Sequence, residues 1–285
     1  MAEPASAGAQ PARVGKFDRD TIVWRERITG NASTFGAEVS PDWRAGRGPH
    51  GGYLAAMLLR ALIDTVDDTQ REPRSLTIHY ARAPSSGRVQ ISTVLERQGR
   101  SLSTLSARME QGGKLIALAL AAFSVPWQGP EISDLEMPDV EPADPSRDSG
   151  AFIHSDAPPF TKHMIIQPRL SGVPFAGGEQ PMEITGWLGL AEPRPIDARL
   201  LAFLSDASIP TPFMRTAEPL AAPTVDLTVH FRAPLAAPDA GELCLVRTRT
   251  SVIHDGFFEE DGWIWAPDGM LLAQSRQLAI LLPFG

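Results

Sequence analysis

The period of the apolar positions changes from helical to alternating twice along this chain. In residues 48–66, GPHGGYLAAMLLRALIDTV, the residues Leu54, Met57, Leu58, Ala61 and Leu62 share one face of a 3.6-residue period, which predicts a helix. The run TIHYARAP follows, where Ile78 and Tyr80 alternate with Thr77 and His79 in the two-residue period of a strand. The segments RVQISTVLERQ, SLSTLSARMEQ and KLIALALAAFSV continue as strands, with turns at Gly99 and at Gly112-Gly113. Later, DARLLAFLSDAS at 197–208 predicts a second helix with Asp197 as its N-cap and Leu200, Leu201, Leu204 and Ala207 as its apolar stripe. The strands TVDLTVHFRAP and ELCLVRTRTSVI come next, then a hairpin region, GWIWA, and MLLAQSRQLAILL after an Asp268-Gly269 turn.

The same order of elements thus occurs twice, and part of the sequence repeats with it. Leu76-Thr77-Ile78-His79-Tyr80 matches Leu227-Thr228-Val229-His230-Phe231, 151 residues later, and Arg82-Ala83-Pro84 matches Arg232-Ala233-Pro234 after one extra alanine. One helix followed by an antiparallel meander, present twice, is an α+β pattern. Between the copies, residues 128–150, rich in proline and acids, cannot support a core and read as a linker over the surface. The expected organisation is a flexible Ala/Pro-rich tail at 1–16, an N-terminal unit at 17–127, the linker at 128–150 and a C-terminal unit at 151–285.

Composition narrows the functions. With 43% hydrophobic residues the 285-residue chain can build a sizeable core, and its net charge of −8 disfavours nucleic acid and anionic membrane as partners. The first residues lack the apolar region of a signal peptide and no stretch is long enough for a membrane span, so the expectation is a soluble, cytoplasmic protein. The single cysteine, Cys244, fits a reducing compartment and reads as a small strand hydrophobe. No Gly-rich phosphate loop, Gly-x-Ser-x-Gly elbow or metal-ligand spacing occurs, so neither a metal nor an organic cofactor is expected.

The HGGYLAAMLLRAL helix entry, the IHYARAP strand and RQGRSLSTLSARMEQGGKLI in the first half, with LSDAS, TVDLTVHFRAP and LLAQSRQLAIL in the second, resemble the TesB-like acyl-CoA thioesterase II family. The resemblance runs from about residue 35 to residue 282. It implies a double hotdog, two tandem repeats each with an antiparallel sheet wrapped around a central helix. It also implies hydrolysis of a fatty acyl-CoA by a water held by an aspartate, a threonine and a glutamine. Those residues match Asp206 in Ser205-Asp206, Thr224 in Thr224-Val225-Asp226, and Gln277 in the last strand. Two features depart from the family: the strand after the threonine reads LTVHF rather than aromatic-rich, and the family's Trp-x-Arg reads Trp187-Leu188-Gly189.

The residues weigh in on this differently. Asp206 lies off the apolar stripe of its helix, and composition alone makes it a solvated aspartate near a helix end. The resemblance reverses that, since a central helix meets protein on nearly all sides and its off-stripe face meets the other half. Thr224 at a strand start is ordinary. Gln277 has internal support: with 113–117 laid over 269–273, it falls where the first half has Ala121, in a row of small residues facing the helix. A long amide there must find partners or cost roughly 1–3 kcal/mol. The first-half counterparts of Thr224 and Gln277 are Pro73 and Ala121, so only one copy carries the polar set. His79 and His230, present in both copies, read as scaffold, and His50 as a loop histidine at a helix start. Backbone N–H groups at Gly51, Gly52 and Tyr53 are candidate oxyanion donors at a helix N-terminus. Arg97, Arg100 and Arg108 are available for CoA phosphates. A catalytically silent acyl-CoA-binding double hotdog is the alternative. A hotdog dehydratase is disfavoured for want of an Asp/His dyad, and assembly into a homo-oligomer through the sheets is left open.

Overall fold

The computed structural model describes residues 14–144, 157–218, 220–233 and 243–283. The N-terminal half contains α1 (Lys16–Asp20), β1 (Val23–Thr29), β2 (Ala32–Val39), β3 (Arg44–Ala45), β4 (Gly48–Pro49), α2 (Gly51–Val66), β5 (Glu72–Tyr80), β6 (Gly87–Gln98), β7 (Leu102–Gln111) and β8 (Lys114–Ser124). The C-terminal half contains β9 (Met164–Pro168), β10 (Glu183–Leu190), α3 (Ala198–Leu204), β11 (Leu220–Ala221), β12 (Thr224–Phe231), β13 (Cys244–Arg249), β14 (Ile253–His254), β15 (Phe257–Trp265), β16 (Leu271–Ile280) and β17 (Leu282–Pro283).

The long strands form one sheet in the order β1-β2-β6-β7-β8-β5-β12-β16-β15-β13-β10-β9, with every neighbouring pair antiparallel. Read outward from the middle, each half presents its strands in the same order. The repeated sequences are the two central strands. β5 pairs with β12 in the register Ile78↔Leu227, Thr77↔Thr228 and Leu76↔Val229. The equivalent residues Thr77 and Thr228 face each other with their hydroxyl oxygens 3.1 Å apart, so a local two-fold axis passes between them. A strand that must pair antiparallel with its own duplicate is held to self-complementary positions, which accounts for the repeat.

The duplication also fixes the register around the site. Leu76 lies opposite Ala121 in β8, and its equivalent Leu227 lies opposite Gln277 in β16. Both central strands bulge at corresponding places, between Pro73 and Ser75 and between Thr224 and Asp226. A bulge re-aims the side chain beside it, and here that residue is Thr224 in one half and Pro73 in the other.

Helix α2 is buried along most of its length and packs on β1, β2, β5, β6, β7 and β8. Helix α3 is shorter than its pattern predicts: Asp197 caps it, accepting from Leu200 N–H, but it ends at Leu204 and turns through Ser205 and Asp206. Its main partner is α2. The two helices meet so closely that a Cβ on Gly52 would lie 2.4 Å from the Phe203 carbonyl oxygen. Trp43, Tyr53, Phe17 and Phe203 form an aromatic cluster beside this crossing, with Trp43 stacked on Tyr53 at 5.5 Å.

Residues 128–144 are mostly exposed, and residues 137–144 are strapped to the outside of the second half. Met137, Val140 and Ala143 pack against Trp187, Leu245 and Trp265. Gln167 exchanges hydrogen bonds with the backbone of Asp144, and Trp187 Nε1 donates to the Glu141 carbonyl. The rest of the linker, the tail up to residue 13 and Pro234 lie outside the described residues.

Candidate active site

The turn after α3 delivers Asp206 to the N-terminus of α2. Asp206 Oδ2 accepts the Gly52 N–H at 2.8 Å, a favourable position for an anion because the unpaired N–H groups and the positive end of the helix dipole meet there. Composition alone misplaces Asp206 in solvent because the helical wheel does not apply: the helix stops before Asp206. The side chain is only 13% exposed.

His50 fixes this junction from both sides. As the N-cap of α2 it accepts the Tyr53 N–H on Nδ1, so its proton sits on Nε2, which donates to the Asp206 carbonyl at 2.8 Å. The ring packs against Phe160 and Phe203, and that burial pushes its pKa below the ordinary histidine value, against the pull of Asp206. It is thus a neutral structural clamp between the halves and more than a loop histidine. Tyr80 OH donates to the Gly51 carbonyl at 2.9 Å from the far side, its pKa raised by complete burial and by the charge of Asp206.

Thr224 and Gln277, on adjacent strands, close the group. Thr224 Oγ1 lies 3.4 Å from Asp206 Oδ1 and donates to Gln277 Oε1 at 2.8 Å. Gln277 Nε2 donates in turn to Glu260 Oε1 at 2.9 Å, and Glu260 Oε2 accepts the Thr211 N–H at 2.8 Å. Glu260 is a residue that the sequence reading missed. It stands in what reads as a polar hairpin, but β15 runs unbroken through it and buries Phe258, Glu260, Gly262 and Ile264 in alternation. Burial raises its pKa, hydrogen bonds from Thr211 and Gln277 pull it back, and Asp206 adds to the rise. The signal was present in the repeat: Glu260 faces Gln277 across β15 and β16, where Leu105 faces Ala121 across β7 and β8.

The candidate oxyanion donors are partly engaged. Gly52 N–H is held by Asp206 and Tyr53 N–H by His50, whereas Gly51, the first helical residue, has no acceptor within its own helix. The candidate arginines lie elsewhere. Arg100 meets Arg71 beyond the C-terminal end of α2, and Arg97 sits on the same β6–β7 hairpin, roughly 24 Å along the helix from Gly51. Arg108 is exposed and paired with Glu110. Arg44 and Arg47, on the β3–β4 hairpin, come just ahead of α2.

Among the described residues no group of His, Cys, Asp and Glu is placed to hold a metal ion, and no helix is long and apolar enough to cross a membrane. The arrangement can orient a water against a carboxylate beside a helix N-terminus.

Two family models match the chain: one described as the acyl-CoA thioesterase N-terminal domain over residues 39–124, the other as the acyl-CoA thioesterase C-terminal domain over residues 136–281. An uncharacterized protein of Mycobacterium tuberculosis is 26% identical over 278 residues, covering 87% of this chain and 90% of the relative. A conserved protein with hot dog fold from Alicyclobacillus acidocaldarius superposes with a TM-score of 0.83 at 25% identity, over 96% of this chain and 100% of that one. An acyl-CoA thioesterase II from Mycobacterium marinum gives a TM-score of 0.72 at 21% identity, over 94% and 99% of the two chains.

Proposed function

The chain belongs to the TesB-like acyl-CoA thioesterase family, and on that premise we propose that it hydrolyses a fatty acyl-CoA to the free acid and CoA through a water held by Asp206, Thr224 and Gln277. The observation that carries this reading is the meeting of the Asp206 carboxylate, from the end of α3, with the start of α2 beside Thr224.

A thioester carbonyl is electrophilic enough for an oriented water to attack it without a covalent enzyme intermediate. Asp206 takes a proton as the water oxygen bonds to the carbonyl carbon. The carbonyl oxygen gains the negative charge and lies against the N-terminus of α2, where Gly51 N–H can donate to it and the dipole favours it. As the tetrahedral centre collapses, the C–S bond breaks and the CoA thiolate leaves, taking its proton from Asp206. Binding in one place, with water, base and donors fixed beforehand, supplies the orientation that the uncatalysed reaction lacks.

α2 packs on six strands of the first half, whereas α3 packs mainly on α2, and only the second half carries the polar set. The β3–β4 hairpin offers Arg44 and Arg47 to the CoA phosphates at the correct end of α2. The alternative, a silent acyl-CoA binder, gains some support from the Asp206–Gly52 bond, which occupies one candidate oxyanion donor. Thiol release from acyl-CoAs of graded chain length separates the two: hydrolysis of at least one supports the enzyme, and binding of all with release from none supports the binder.

A further inference from the structure

We propose that Glu260 is a positioning residue that sets the direction of the hydrogen-bond chain running from the reacting water through Thr224 and Gln277. This rests on the thioesterase reading above.

The argument is one of donors and acceptors. Glu260 Oε1 accepts from the NH2 group of the Gln277 amide, at 2.9 Å, which leaves the amide oxygen facing Thr224. That oxygen only accepts, so the one hydroxyl proton of Thr224 is committed to Gln277 Oε1, at 2.8 Å. Thr224 Oγ1 is then left as an acceptor. A water seated beside both Thr224 Oγ1 and Asp206 Oδ1, which lie 3.4 Å apart, gives one hydrogen to each from off the line that joins them, and its lone pairs remain for the thioester carbon. Every donor in the chain points toward Glu260, and hydrogen bonds aligned in this way strengthen one another.

Glu260 is itself fixed. It is 4% exposed, and its other oxygen accepts the Thr211 backbone N–H at 2.8 Å. The Thr211 hydroxyl is committed to Thr250 Oγ1, at 2.7 Å. In the first half the facing pair is Leu105 and Ala121, which need no such support and offer none. A buried carboxylate is costly, and its presence only in the half that carries Thr224 and Gln277 assigns it to their geometry.

The test is Glu260→Gln. The new amide keeps the shape, and its oxygen must remain on the Thr211 N–H, which cannot turn away. Its NH2 group then faces Gln277, whose amide flips to present its oxygen. Gln277 now donates to Thr224, and the Thr224 proton turns toward Asp206 Oδ1 and the water. All groups stay satisfied, so the expected melting temperature is close to that of the wild type. KM should change less than about 2-fold, while kcat falls roughly 10- to 100-fold from the misdirected water. In a Gln277→Ala background the same substitution should change kcat less than about 2-fold, because there is no amide left to direct. A folded E260Q protein with near wild-type kcat overturns the proposal, as does an equal loss in both backgrounds.

Should E260Q be too unstable to assay, Q277A is compared with the double variant Glu260→Leu/Gln277→Ala, which reproduces the apolar pair of the first half. Equal kcat is expected, and a further loss of about 10-fold overturns the proposal. Asp206→Asn measured in parallel separates the two levels. If D206N is inactive and E260Q fully active, only the role of Glu260 falls; if D206N keeps its activity, the catalytic reading falls first.

Discussion

Adding one methyl group at Gly51 or at Gly52 should separate the chemistry of the site from the stability of the helix crossing that builds it. At Gly52 the new Cβ would lie 2.4 Å from the carbonyl oxygen of Phe203 and 3.0 Å from its carbon, both backbone atoms. An unstrained contact needs roughly 3.5 Å, so α2 and α3 must part by about 1 Å. The same carbonyl accepts the Asp206 N–H at 3.3 Å, so the shift is passed to the turn that carries Asp206. Overpacking of this kind costs about 1–3 kcal/mol, offset in part by the better helix propensity of alanine. At roughly 2 °C per kcal/mol for a chain of this length, Gly52→Ala should melt a few degrees lower, and about 1 Å of misplacement should cost about 100-fold in kcat.

At Gly51 the Cβ would lie 2.8 Å from Asp206 Oδ2 and 3.4 Å from Tyr80 Cζ. Only a side-chain oxygen need give way, so Gly51→Ala should melt no lower than the wild type while its kcat falls at least about 10-fold. Calorimetric melting and a thiol-release assay on both variants, with Gly51→Ala repeated in an Asp206→Asn background, measure all of this. Full activity in Gly51→Ala, or a further loss where the carboxylate is already gone, would refute the account of how Asp206 is held.

Ala121→Gln would bury an amide opposite Leu105, where no acceptor corresponds to Glu260, and should destabilise the protein by about 1–3 kcal/mol with no gain in turnover. A rise in turnover would contradict the assignment of the chemistry to one half. Thr224→Val removes the proposed acceptor for the water and should lower kcat about 10-fold with KM little changed, read from steady-state kinetics. Burial alone would raise the Asp197 carboxyl, but hydrogen bonds from Arg194 and the charges of Arg199 and Arg194 hold it at about 2. The unfolded chain, with an ordinary value of about 3.9, binds more protons between these limits, so this contribution to stability is present above about pH 4 and lost as the pH falls toward 2. Denaturant titrations should show Asp197→Asn losing less stability than the wild type over that interval, and equal losses would refute the role of the cluster.

How much of this was legible in the sequence depended on whether the repeat spoke to it. Gln277 stood out because Ala121 occupies the matching place, whereas Thr224 was ordinary at a strand start and rested on the family resemblance. The paired registers and bulges put both in places corresponding to their first-half counterparts Ala121 and Pro73. The strand β10, EITGWLGL, went unread because it is buried on both faces and so does not alternate, and β1 because it is exposed on both. Glu260 escaped notice among the acids around it, although the buried alternation from Phe258 to Ile264 carried it inward. His50 was placed at a helix start, where it caps α2, but its bond to Asp206 went unread because that partner lies in the other half, 156 residues away, and local pattern holds no record of it.

The central claim is that Asp206 is the base for hydrolysis of an acyl-CoA. Asp206→Asn keeps the side-chain shape and an oxygen for the Gly52 N–H, so it should fold and bind acyl-CoA like the wild type. Its kcat for thiol release, measured on the best substrate of a chain-length series, should fall on the order of 10²–10⁴-fold with KM little changed. A folded Asp206→Asn protein that releases thiol at close to the wild-type rate would contradict the claim.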